Sequence, residues 1–119
     1  MVKTRVLVTF ENEYRIFQDA VADAIRILRP RVEVEAAELS VLASKVTSFD
    51  PHLVICSRPN TFEYNKPAWI ELPPDPNQLA EICLDRQRLQ VANPALKELL
   101  RVVDETERLT RIKQYLGNC

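Results

Sequence analysis

At 119 residues, 46% hydrophobic and 28% charged, the chain has the size and balance of one globular domain with a single core. Its formal charge of −1 offers no net field to nucleic acid or to an anionic membrane. The single glycine, Gly117, excludes phosphate-cradling loops, dinucleotide fingerprints and glycine-flanked serine elbows, all of which need glycine earlier in the chain.

The three cysteines match no metal or redox spacing. Cys56 and Cys83 lie in apolar runs and read as small core hydrophobes, and Cys119 is the last residue. A reducing cytoplasm is the expected setting. The N-terminal apolar run is too short for a secretion signal or a membrane span.

In chain order, Val6–Phe10 is a short β-branched run and is predicted to be a buried strand. Asn12 then stands as the expected N-cap of a helix over 13–29, with Glu13 in its first turn. Ile16, Phe17, Ala20, Val21, Ala24, Ile25 and Leu28 form its apolar stripe, and Pro30 ends it. Val32, Val34 and Ala36 alternate with Arg31, Glu33 and Glu35, the pattern of a strand near a sheet edge. Glu33, Glu35 and Glu38 read as a solvated strand face. Residues 39–49 carry a weaker helix on Leu42, Val46 and Phe49, closed by Asp50-Pro51. His52–Cys56 is a second continuous apolar run and is predicted to be a central strand. The β-α-β-α-β order argues for a parallel sheet whose first and third strands end at one edge, where ligands of such sheets bind.

After Ser57 the pattern changes. Residues 58–67 are loop-like, with no helix of normal length before Trp69. Ala68–Leu72 and Leu79–Leu84 read as strands around the turn signal Pro73-Pro74-Asp75-Pro76-Asn77. So short a link makes them a hairpin. Asn93-Pro94 is a helix start signal, and the helical pattern then runs to Leu116, with Gly117 as its C′ residue. A helix over 94–116 would be roughly 35 Å long and would project past the body.

Arg5–Val8, the amphipathic helix 13–29 and Asp50–Cys56 together resemble the receiver domain of bacterial response regulators, over about residues 4–57. The resemblance implies a three-layer α/β/α sandwich with a mainly parallel, receiver- or flavodoxin-like sheet, here with a C-terminal β-hairpin and a long last helix. Receivers hold magnesium with two acidic residues after the first strand, positions that fall on Phe10 and Glu11. Their phosphoacceptor aspartate ends the third strand, where this chain has Ser57. The resemblance therefore implies a degenerate pseudo-receiver that is not phosphorylated on aspartate, since serine cannot form the acyl phosphate.

Three functions follow from these residues. The first is a non-catalytic regulatory or protein-interaction module, cytoplasmic, without cofactor or metal. Its partner is an unidentified protein or a second copy, and neither nucleic acid nor a membrane. Phe62, Tyr64 and Trp69 are its candidate partner surface, since aromatic residues are enriched at binding hot spots. Packing of these residues over the sheet is an equal alternative. Leu109, Ile112 and Leu116 are a candidate dimer stripe, with folding back on the body as the alternative. The second function is a small-anion or nucleotide-binding domain, with Glu11, Asn12, Ser57, Arg58 and Asn60 at the edge where strand ends meet a helix start. The third is an enzyme with Cys56 as nucleophile. It is disfavoured because the only histidine, His52, sits at the far end of the same strand.

Overall fold

The computed structural model describes residues 3–61, 66–112 and 119. Strand β1 (Arg5–Phe10) leads through a 3₁₀ turn at Asn12–Tyr14 into helix α1 (Arg15–Leu28) and strand β2 (Glu33–Glu38). A second 3₁₀ turn, Leu39–Val41, opens α2 (Leu42–Ser48), and β3 (Leu53–Cys56) follows. Beyond the 57–67 connection come β4 (Ala68–Glu71), β5 (Leu79–Leu84), β6 (Gln87–Ala92) and α3 (Leu96–Ile112). One sheet holds all six strands in the order β2-β1-β3-β4-β5-β6.

The mainly parallel receiver-like sandwich expected from the sequence is not what forms. β1 pairs in parallel with β2 and β3, and β3 with β4, but β4–β5 and β5–β6 are antiparallel. The reason is connection length. Only residues 72–78 join β4 to β5 and only Asp85-Arg86 joins β5 to β6. A parallel crossover takes a dozen residues or more. Asp85 and Arg86 both have positive φ (52° and 75°), the backbone of a two-residue I′ hairpin turn. β6 is a strand that the sequence reading did not find.

β1 and β3 are buried on both faces, as their continuous apolar runs require. On one face, Val6, Val8, Phe10, Leu53, Ile55, Ile70 and Ile82 pack with Val21, Ala22 and Ile25 of α1 and Leu99 and Val103 of α3. The other face is covered more thinly. Leu7, Val54, Cys56 and Trp69 meet Leu42 of α2, with Val46, Phe49 and Cys119 around them. No helix among the described residues lies over β4–β6 on that side. Cys119 lies there instead, joined to Cys83 of β5 by a disulfide across a sequence separation of 36. Cys83 is thus not the free core thiol expected from its apolar neighbours; Cys56 remains free and buried.

Helix faces and caps also differ from expectation. α1 buries Gln18, Val21, Ala22 and Ile25, while Ile16 is 89% exposed. The apolar stripe is therefore only partly buried: the covered face is turned toward Gln18 and Ala22, and Ile16, Ile27 and Leu28 stay exposed. Phe17 instead meets Phe10 edge to face, with ring centroids 5.3 Å apart. Neither Asn12 nor Asn93 acts as a helix N-cap. Asn12 lies inside the first 3₁₀ turn, and Asn93 is left-handed, with φ 44°. The start of α3 is capped by Glu98, whose carboxylate accepts the Ala95 N–H at 2.6 Å. α3 has 17 described residues, about 25 Å, against a longest molecular dimension of 36 Å. The long projecting helix over 94–116 is not present in the described residues.

Candidate functional site

β1, β3 and β4 run in parallel, so the residues that follow them meet at one edge of the sheet. Glu11 follows β1, Ser57 follows β3, and Leu72-Pro73 follows β4. The edge is held firmly. Leu72 N–H donates to the Cys56 carbonyl at 2.7 Å, and Phe10 N–H to the buried Gln18 Oε1 at 2.8 Å. Between these strand ends and the proline-rich β4–β5 turn lies an open cleft of about 480 Å³, lined by Glu11, Glu13, Tyr14, Ser57, Arg58, Pro73, Pro74, Asp75 and Gln78.

Its charges are unequal. Glu11, Glu13 and Asp75 face one guanidinium, Arg58, which already contacts Glu11 Oε1 at 3.3 Å. Glu11 Oε2 and Ser57 Oγ are shut away from water, and neither has a hydrogen-bond partner. Buried polar atoms are rarely left so, and both lie in residues of this cleft. A second hollow of about 200 Å³ adjoins it, sharing Pro73, Pro74, Asp75 and Gln78. Its lining is mostly apolar, with Phe17, Val21, Leu72, Leu96 and Leu99. The edge thus offers an acidic half and a greasy half on either side of the proline turn.

Of the five candidate pocket residues, the structure brings together Glu11, Ser57 and Arg58. Asn12 is exposed and does not line the cleft. Asn60 lines a small separate hollow on the face covered by the disulfide, with Trp69, Glu81, Cys83 and Arg88. Phe10, which the expected resemblance put beside Glu11, is wholly buried in the core. Sequence reasoning missed Glu13, Tyr14, Asp75 and Gln78. The available signal was the Pro73–Asn77 turn, which reaches the ligand edge once β4 is placed parallel to β3.

The Cys56 thiol, also at this edge, is buried and pushed up to about 11 by desolvation, which the Arg58 N–H bond to its sulfur only partly offsets. Burial thus favours the protonated thiol at neutral pH over the thiolate that a nucleophile needs. His52 stands at the opposite end of β3, where Nδ1 accepts the Arg5 N–H at 2.9 Å.

The candidate partner residue Trp69 is 3% exposed, its Nε1–H donating to the Arg58 carbonyl at 3.0 Å. It packs over the sheet and forms no surface, the alternative that the sequence left open. Phe62 and Tyr64 lie outside the described residues. In the candidate dimer stripe, Leu109 is folded onto the body at 5% exposure, Ile112 is 45% exposed, and Leu116 lies outside the described residues. Among the described residues no group of histidine, cysteine or carboxylate side chains is placed to hold a metal, and no helix is long and apolar enough to cross a membrane.

No protein-family model, curated protein or solved structure matches this chain.

Proposed function

We propose that this protein is a non-catalytic interaction module that receives a basic side chain of a partner protein, arginine or lysine, in the cleft at the C-terminal edge of its parallel strands. The observation that carries this reading is the charge of the cleft, where Glu11, Glu13 and Asp75 stand against the single guanidinium of Arg58, itself paired with Glu11. A guanidinium or ammonium brings charge to Glu13 and Asp75 and hydrogen-bond donors to the carboxylates that line the cleft. The adjoining hollow suits an apolar neighbour of that basic residue. The small-anion alternative is weaker on the same lining, because three carboxylates oppose an anion and the one cation is paired. A reaction is disfavoured by the protonated, buried Cys56 and by the distance of His52 along β3.

The test is an amide-resolved NMR titration with the blocked dipeptide acetyl-Leu-Arg-amide, and with acetyl-Leu-Glu-amide as its charge-reversed control. The Arg peptide is expected to shift the Glu11, Ser57 and Arg58 amides at millimolar concentration, and Glu11→Gln with Asp75→Asn to remove the effect. Equal shifts from both peptides, or none from either, end this reading. A cytoplasmic location belongs to the same proposal. It requires Cys83 and Cys119 to be thiols in the cell, since such disulfides persist in oxidising compartments. Counting trapped thiols in extracts decides it.

A further inference from the structure

The sheet has two edges, and they are built differently. β2 carries Glu33 and Glu38, both exposed, and Glu35, which is paired with Lys45 at 2.7 Å; the two exposed carboxylates repel an incoming strand of the same kind. β6, at the other end, has the sequence Gln87-Arg88-Leu89-Gln90-Val91-Ala92. Its only charge, Arg88, is bound to Glu81 of β5 at 2.6 Å, on the face away from α3. It has no proline and no lysine, and Leu89 is 62% exposed. Along its outer side β6 has no neighbouring strand among the described residues.

Beside this edge, β6 and α3 frame an apolar groove of about 230 Å³. Ile82, Leu84, Leu89, Val91 and Val102 form its floor and walls. Glu98, Arg101 and Glu105 form the α3 rim, alternating in sign one helical turn apart.

We infer that β6 is the interface for a second copy of this chain, joined edge to edge about a two-fold axis at Leu89. Antiparallel pairing in that register sets Leu89 against Leu89 of the second copy. It sets Arg88 against Gln90 and Gln87 against Val91, so no like charges face each other across the strands. Both α3 helices then lie on one face of a continuous sheet, and the two grooves merge over the paired leucines. Each rim carries both signs of charge, so Arg101 of one copy has carboxylates of the other to meet. The contact is isologous and closes at two copies. The glutamates of β2 guard the remaining edges and stop the sheet from growing.

Sedimentation of the full, oxidised chain from micromolar to near-millimolar concentration tests this. The expected mass rises from 13.7 kDa to twice that value and no further. Leu89→Lys, at an exposed position, is expected to weaken the dimer at least tenfold while keeping the far-UV spectrum and the melting cooperativity of the parent. Ile16→Lys, on the exposed side of α1, is expected to leave it intact. A mass that stays at 13.7 kDa throughout overturns the inference. So does a dimer insensitive to Leu89→Lys, or growth beyond two copies. None of these outcomes bears on the acidic cleft, which lies at a different edge.

Discussion

Acidification should unlock the N-terminal end of β3 through one residue, His52. Its imidazole is buried against β1, with Nδ1 accepting the Arg5 N–H, while the His52 backbone N–H donates to the Arg5 carbonyl at 2.8 Å. Burial is the main cause that holds its pKa down to about 4. The charges of Arg5 and Lys66 add to that, and Asp50 opposes it. A protonated ring would carry a hydrogen on Nδ1 and set it against the Arg5 N–H. Above about pH 6.5 the ring is neutral in the folded and unfolded chain alike, and it adds no pH dependence. Between about 6.5 and 4 the unfolded chain takes up the proton and the folded chain does not. Stability then falls as pH falls, by about 1.4 kcal/mol per pH unit, or on the order of 3 kcal/mol by pH 4. That is a large part of the 5–15 kcal/mol available to a typical domain. His52→Asn keeps an acceptor near Nδ1 and removes the titration. Urea unfolding followed by the fluorescence of Trp69, the single tryptophan, measures both proteins from pH 7 to pH 4. Other groups cancel in the difference, including Glu71, whose carboxyl is raised by burial and by Glu81. The variant is expected to gain about 3 kcal/mol on the parent across this range. Two curves that fall in parallel refute the assignment.

The Cys83–Cys119 bond closes a loop over a sequence separation of 36, which by chain entropy stabilises the fold by about 4 kcal/mol. Cys119→Ser should therefore lower the urea midpoint markedly, and dithiothreitol should do the same to the parent. Coincident midpoints for oxidised and reduced protein would remove the disulfide from the account of stability. Cys56, protonated below about pH 11 and buried, should resist iodoacetamide at pH 8 in the native protein and react once urea unfolds it. Mass spectrometry reads the adduct, and rapid native labelling would contradict the burial of this thiol.

The parts of the fold legible in the sequence are those whose burial is complete. Val6–Phe10 and Leu53–Cys56 are apolar without interruption because both faces of β1 and β3 are covered, and such runs point to a sheet centre. β6 was illegible for the opposite reason. An edge strand keeps most of its side chains in water, so Gln87–Ala92 carries only a short alternation, Arg88-Leu89-Gln90-Val91, with two apolar residues to mark it. Its turn gives no glycine signal either, because Asp85 and Arg86 take the left-handed conformation themselves. The candidate site was half legible. Glu11, Ser57 and Arg58 follow from knowing that β1 and β3 end together. Asp75 and Gln78 depend on the direction of β4, and a hairpin between β4 and β5 leaves that direction open until β4 is set beside β3. The disulfide had no signal at all, since proximity of Cys83 and Cys119 is a property of the folded chain and not of their spacing.

The disulfide and Trp69 together explain how a sheet with one thin face is closed. α1 and α3 cover one side of β4–β6, but on the other side α2 reaches only Leu7, Val54 and their neighbours. A sheet face left wet there would expose Trp69 and the polar and sulfur-bearing side chains of β5. The chain instead lays Trp69 flat under the backbone at Arg58 and fastens Cys119 over Cys83, the residue directly opposite Trp69 in the β4–β5 ladder. Cys119 N–H also donates to the carbonyl of Lys66, two residues before β4. Arg58, whose carbonyl accepts the Trp69 indole N–H, is also a residue of the acidic cleft, so the packing of this face and the cleft share one residue.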